Sequence, residues 1–354
     1  MTNKYQKRIE NLPSDIAQMI GEIDRLKTAW VEGAKLDLEV LTRLKKSVLI
    51  TSTGASTRIE GAKLSDDEVE KLLRGMSVDK FKNRDQQEVA GYFELLTNVF
   101  DSYQSIPFSE STIKFFHREL LKHVEKDRQH RGEYKKQENK VAIVNAVGDP
   151  VEIVFDTTLA YLTPKEMQEI VEWTQIALTE KKCHPLLIIG NLLVEFLKIH
   201  PFTDGNGRLS RILTNLLLLQ QGFAYMPYIS HEKLVEDNKP EYYVALRQSQ
   251  KTFGTDKETI APWLGFFFRI LLEQSKRAVD LLSHEQTEKL LSPQQEVVWK
   301  YIAGVRESTP IAMAEATKVP RPTINQALTK LLKLKRIERI GSGRGTRYRV
   351  MTGE

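Results

Sequence analysis

Cysteine is almost absent: Cys183 is the only one among 354 residues. A lone cysteine excludes an internal disulfide framework and a multi-cysteine metal site, and it suits a reducing compartment. Long hydrophobic runs are missing too. The start, Met1-Thr2-Asn3-Lys4-Tyr5-Gln6-Lys7-Arg8, lacks the apolar stretch of a leader. The most apolar segments, Leu186 to Ile199 and Ile260 to Leu272, are too short or too interrupted by charge to cross a bilayer. These absences predict a cytoplasmic protein without a membrane partner. No G-x-x-x-x-G-K-S/T string occurs, which excludes a Walker-type phosphate loop. Internal repeats and low-complexity segments are lacking as well.

What is present is mostly helical pattern, in a chain long enough for two or three domains. Asn191 to Ile199 carries apolar residues at helical spacing, and Ile212 to Leu219 resumes the pattern. Between them lies His200-Pro201-Phe202-Thr203-Asp204-Gly205-Asn206-Gly207-Arg208-Leu209-Ser210-Arg211, which reads as helix, tight loop, helix. Gly205-Asn206-Gly207 lets the backbone approach a ligand closely, and the helix that follows aims its unpaired N–H groups at whatever sits there. An anion belongs at such a place. Arg208 and Arg211 are three apart, so both guanidinium groups leave one helical face and can fork onto phosphate. Asp204 can bind Mg2+, which favours a carboxylate together with substrate phosphates. His200 can take a proton near neutral pH. A lone histidine at a helix end, or a lone G-N-G, is usually structural; the combination in twelve residues is what points to a nucleotide polyphosphate.

The string matches the signature H-x-F-x-D/E-G-N-G-R-x-x-R, and on it the chain resembles Fic-domain protein adenylyltransferases. The resemblance implies transfer of AMP from ATP to a Ser, Thr or Tyr hydroxyl of a target protein, and of the enzyme itself. It implies His200 as general base, Asp204 as holder of Mg2+, and Thr203, Gly205, Asn206, Gly207, Arg208 and Arg211 around the phosphates. Phe202 reads as an anchor in the core. Asn238, Tyr242 and Tyr243 fall where the family borders the adenine, although a tyrosine there is as readily core. Arg131-Gly132-Glu133-Tyr134-Lys135 is similar to the family's G-x-Y/F-R segment, with Lys135 where Arg is usual. Val141 to Val144 and Val151 to Phe155 then read as a β-hairpin around Gly148-Asp149-Pro150. In the family that hairpin is a flap that aligns a target segment by strand addition.

Ser56-Thr57-Arg58-Ile59-Glu60-Gly61 is similar to the family's inhibitory S/T-x-x-x-E-G/N motif. Ser56 and Glu60 share a helical face, and Gly61 can end the helix. The expectation is a bidentate pair between Glu60 and Arg211 that takes the guanidinium from the γ-phosphate. The same glutamate could orient water for removal of AMP.

Beyond Ser292-Pro293 three helical patterns, Gln294 to Ile302, Met313 to Lys318 and Pro322 to Leu334, precede two short strand patterns, Ile337 to Ile340 and Thr346 to Val350. This resembles a winged helix-turn-helix, with Thr323 to Leu334 as recognition helix. From Ser292 onward Lys and Arg outnumber Asp and Glu by twelve to five, so the unit carries +7 while the whole chain carries +5. Such a surface fits DNA or a protein partner.

The sequence therefore predicts a mainly α protein: an N-terminal helical region over 1–108 with the inhibitory motif at 56–61, a Fic helical core with a β-hairpin flap over 109–289, and a winged helix over 290–354. Ser283 to Lys289 reads as a helix end or connector. The expected function is self-inhibited protein adenylylation with ATP and Mg2+. The alternatives are a DNA-binding regulator with a nucleotide-sensing core, and a Fic de-adenylylating enzyme. A second copy of the chain is a further candidate partner.

Overall fold

The structure, a computed structural model, describes residues 4–10, 12–33, 36, 38–74, 83–144, 150–334, 336–341 and 346–351, with backbone alone over 140–144, 150–156 and 283–290. The chain forms two compact units, one of residues 1–32 and 37–277, the other of 33–36 and 278–354. The N-terminal helices thus fall in the same compact unit as the helices on either side of the His200 to Arg211 loop. No helix among the described residues is long and apolar enough to cross a membrane.

The first unit runs α1 (Lys4–Lys7), α2 (Ser14–Gly33), α3 (Leu38–Ile59), α4 (Asp66–Arg74), α5 (Arg84–Ser102), α6 (Glu110–Leu120), β1 (Lys140–Val144), β2 (Pro150–Asp156), α7 (Thr163–Glu180), α8 (Pro185–Ile199), α9 (Asn206–Gln220), α10 (His231–Asp237), α11 (Lys239–Gln250) and the start of α12 (Ala261–Leu290), whose residues from Ala278 on belong to the second unit. At its centre α8 and α9 are buried nearly all round, the pattern of helices surrounded by other helices. Leu192, Val194, Phe196, Leu209, Ile212 and Leu216 are completely enclosed, each contributing about 1.5–3 kcal/mol of transfer free energy. One charge in this interior, Glu195, is neutralised by Arg8 Nη1 at 2.6 Å, which ties the N-terminus to α8. Local chemistry sets the helix starts. Asn83 and Ser109 accept from Gln86 N and Thr112 N, and Ser65 exchanges bonds with Glu68 in a capping box before α4.

β1 and β2 pair antiparallel, Val141 opposite Phe155 and Ile143 opposite Glu152. The strand readings at Val141 to Val144 and Val151 to Phe155 fall within this ladder; 145–149 lie outside the described residues. Of the two readings of Ser283 to Lys289, helix end or connector, the structure has the first: the segment is the last part of α12, which ends at Leu290. That segment holds no Gly or Pro, and the first breaker is Pro293.

The second unit contains α13 (Pro293–Val305), β3 (Glu307–Ser308), α14 (Pro310–Thr317), α15 (Arg321–Lys333), β4 (Ile337–Ile340) and β5 (Arg347–Val350). Its core gathers Val298, Trp299, Ile302, Met313, Ile324, Leu328, Leu331 and Ile337. The strands form a three-stranded sheet in the order β3-β5-β4. β3 was not expected from the sequence: two residues carry no period of their own and become a strand only by pairing with Tyr348 and Arg349.

Candidate active site

The loop from His200 to Gly205 joins α8 to α9 and is braced from inside. Asn206, itself buried, accepts from Phe202 N at 3.0 Å and donates to Phe202 O at 2.8 Å, closing the loop on itself. Phe202 is enclosed and stacks on His117, ring centroids 3.8 Å apart and 7° from parallel. His117 accepts from Gly132 N at 2.9 Å through Nδ1, so its Nε2–H donates to Asp204 O at 3.0 Å. Burial lowers this histidine to about 4 and keeps it neutral. Sequence reasoning missed His117 because it sits among Ile113, Phe116 and Leu120, where a histidine looks like part of a core stripe.

His200 caps α8 in the left-handed region, φ 51 and ψ 61. Its Nδ1 lies 3.3 Å from Leu197 O. A carbonyl only accepts, so Nδ1 carries the hydrogen and the lone pair is on Nε2. Burial lowers His200 to about 4, leaving it neutral at pH 7.

Arg208 and Arg211 do not act as a pair. Arg208 is buried, with Nη2 2.6 Å from Asp204 Oδ2 and Nη1 2.9 Å from Glu88 Oε2. Arg84 Nη2 lies 2.8 Å from the same Asp204 oxygen and 3.1 Å from Asp127. Burial works against the charge of Asp204, but Arg208, the Gly205 N–H and Arg84 outweigh it and hold the carboxyl below its usual range. Neither Arg84 nor Glu88 stood out in the sequence, since both lie on an ordinary amphipathic helix far from the motif.

Arg211, 3 % exposed, faces the other way. Nε donates to Ser56 Oγ at 2.8 Å, and Nη2 donates to Ser56 O at 2.9 Å and Glu60 Oε1 at 2.7 Å. The expected fork is thereby corrected: Glu60 offers Arg211 one oxygen, and Ser56 fills the other side of the guanidinium. The motif is held in place by Arg58, which bridges Glu236 of α10 at 2.6 Å and Asp66 of α4 at 2.9 Å. A Cβ on Gly207 would overlap Glu60 Oε1, so the carboxylate rests directly on the first turn of α9. That is the anion position of a helix N-terminus, and Glu60 fills it. Gly205 takes φ 80 to make the turn. Thr203 lies on the same loop.

Of the adenine-side candidates, Tyr242 is buried against Tyr243, Trp263 and Phe266, and so is core. Tyr243 is half-buried, and Glu60 is among the charges that act on it. Asn238 ends α10, donating to Leu234 O at 2.8 Å and accepting from Arg269 at 3.1 Å.

This helical core, with a phosphate-type loop between two buried helices, is matched over residues 107–218 by the Fic/DOC family model. A Fido domain-containing protein of Dictyostelium discoideum is 35% identical over 116 residues, 30% of this chain and 74% of that one. The chain belongs to the Fic/DOC family. A probable protein adenylyltransferase of Aquifex aeolicus is 27% identical over 205 residues, 56% of this chain and 54% of its own length. The protein adenylyltransferase Fic of Drosophila melanogaster is 27% identical over 245 residues, 68% of this chain and 43% of its own. The chain spans about half the length of these adenylyltransferases. A Fic family protein of Desulfovibrio desulfuricans shares the fold across 98% of both chains, with a TM-score of 0.62 and 22% identity.

Proposed function

We propose that the chain is a self-inhibited protein adenylyltransferase that moves AMP from ATP to a Ser, Thr or Tyr hydroxyl of a target protein and of itself. The adenylyltransferase relatives support the reaction class, and the unbroken string from His200 to Arg211 supports the roles. One observation carries the self-inhibition: Glu60 lies on Gly207 at the start of α9 and on Arg211, the place and the partner that an ATP phosphate needs.

The chemistry follows from the positions. His200 Nε2 takes the proton of the incoming hydroxyl as its oxygen attacks the α-phosphorus, and pyrophosphate leaves. The N–H groups at the start of α9, next to Gly205, Asn206 and Gly207, receive phosphate oxygens once Glu60 withdraws, and Arg211 turns to the γ-phosphate. Arg208 is the second phosphate cation. Mg2+ fits this donor set, because it needs one or two protein carboxylates beside substrate phosphates, and Asp204 is a carboxylate at the loop edge, 37% exposed. When bound, the ion would neutralise phosphate charge, and Asp204, shared here by Arg84 and Arg208, is the residue that would hold it.

The test is labelled ATP with the Glu60→Gly variant. Incorporation of AMP into protein above the level of the parent chain is expected. Equal incorporation by both excludes the inhibition, and removal of AMP from modified protein by the parent chain favours the de-adenylylating alternative, with Glu60 orienting the water.

A second reading concerns the C-terminal unit as a winged helix that binds duplex DNA. The exposed face of α15 presents Arg321, Asn325, Gln326, Thr329 and Lys333, with no carboxylate anywhere on the helix. Amides and cations of this kind read base edges and hold phosphates. Full-length protein should bind a duplex with affinity falling steeply with salt, and Lys330→Ala or Lys333→Ala should each flatten that slope. Absence of binding at low salt assigns the face to a protein instead. Arg344, in the glycine-rich tip, lies outside the described residues.

A further inference from the structure

Lys135 is buried, without an ion-pair partner among the described residues, and its ammonium meets three oxygens. Nζ donates to Asn139 Oδ1 at 2.7 Å, Thr157 Oγ1 at 2.9 Å and Ile199 O at 3.0 Å. Its backbone N–H donates to Pro201 O at 2.8 Å. Asn139 Nδ2 donates to Phe202 O at 3.0 Å, and Thr158 N to Lys198 O at 3.3 Å. Asn139 directly precedes β1 and Thr157 directly follows β2, so both feet of the ladder are fastened to the carbonyls on either side of His200.

Lys198 O and Ile199 O are carbonyls that the end of α8 leaves unpaired, and Pro201 O and Phe202 O belong to the loop after it. His200 between them holds a left-handed backbone at φ 51, which is strained for a non-glycine residue and persists only when its surroundings fix it. Thr157 Oγ1 joins the two feet directly by donating to Asn139, and among the described residues Lys135 is the side chain that links both of them to Ile199 O. Burial pushes the ammonium down to about 8, with Glu138, Glu166 and Lys198 as the charges that face it. It therefore still carries its three hydrogens at pH 7.

We propose that Lys135 is a positioning residue that fixes the strained backbone of His200 and ties both feet of the β1–β2 ladder to it, making the ladder and the imidazole one mechanical unit. A target strand added to that ladder would be set in register with the base. The proposal rests on His200 being the base of the transfer reaction, and its test is arranged to be separable from that reading.

In the Glu60→Gly chain, Lys135→Met is expected to keep ATP affinity within about twofold while AMP transfer falls about 100-fold, the loss typical of a misplaced reacting group, and Lys135→Arg to restore it. Independently of activity, amide hydrogen exchange should quicken in Lys135→Met at position 135, at Thr158, at 198–200 and at Phe202, and stay unchanged in α5 and α12. Thr157→Val, which removes one acceptor from the ammonium, should give a smaller increase at the same amides. Unchanged exchange in both variants overturns the proposal, as does a rise spread over the whole unit or a parallel loss of ATP affinity. If Glu60→Gly itself transfers no AMP, the functional reading fails, and the exchange pattern still decides the role of Lys135.

Discussion

Arg211 has two protein partners where a phosphate would be a third, and the division of its bonds sets unequal consequences for their loss. Ser56 takes Nε and shares Nη2 with Glu60. Ser56→Ala removes one hydrogen bond from the guanidinium to a neutral hydroxyl, worth about 1.5–3 kcal/mol, but leaves the competing carboxylate in place, so ATP affinity should rise less than in Glu60→Gly, which removes that charge. Titration calorimetry of the two variants orders them; a larger gain for Ser56→Ala contradicts this division. His200 supplies a second expectation. Its value near 4 keeps it neutral above that pH, so AMP transfer by Glu60→Gly should stay flat from pH 7.5 down to 5.5. An acid limb with a midpoint near the ordinary 6.5 would show an imidazole exposed to water instead. His200→Ala should keep ATP binding and lose transfer, as α-labelled ATP would reveal. Residue types and spacing alone singled out the histidine, the carboxylate and both arginines of the loop as candidates. They could not reveal that Asp204 and Arg208 hold each other, because that depends on Arg84 and Glu88 arriving from α5.

The element that gathers these effects is α9, whose N-terminus is fixed by the loop before it. Phe202 is the keystone of that loop, enclosed and stacked on His117. Phe202→Ala should cost about 3–5 kcal/mol of stability, read as a lowered urea midpoint. A shift within experimental error would mean the stacking carries little. Helices α8 and α9 were legible from their 3.6-residue period, and the β-ladder from its β-branched runs. The two-residue β3 was not, since it exists only through its partner strand, and the polar run 283–289 left helix end and connector undecided. Lys135 was visible as a departure from Arg, but its bonds to Asn139, Thr157 and Ile199 depend on a fold that brings together residues 64 apart.

At the scale of the molecule, each unit has its own core. Trp299→Ala should weaken the C-terminal unit by about 3–5 kcal/mol while ATP affinity is unchanged. In the first unit His117, His200 and His231 are held neutral by burial and are free to protonate when unfolded. All three are lowered from 6.5, so the stability they contribute is complete above that pH and declines below it, for His117 and His200 as pH falls toward about 4. Denaturation midpoints measured between pH 7 and 4.5 should decline accordingly. The central claim joins α3 to α9 through one charge pair, and calorimetric titration of ATP into four proteins tests it most directly: the parent, Glu60→Gly, Arg211→Ala and the double variant. The account predicts tighter binding for Glu60→Gly, by tenfold if the gain is about 1.4 kcal/mol. Arg211→Ala should show no such gain, and in its background removal of Glu60 should recover little, because the two groups act on each other. Unchanged affinity on losing Glu60, or fully additive effects in the cycle, would contradict a brake built from Glu60 and Arg211.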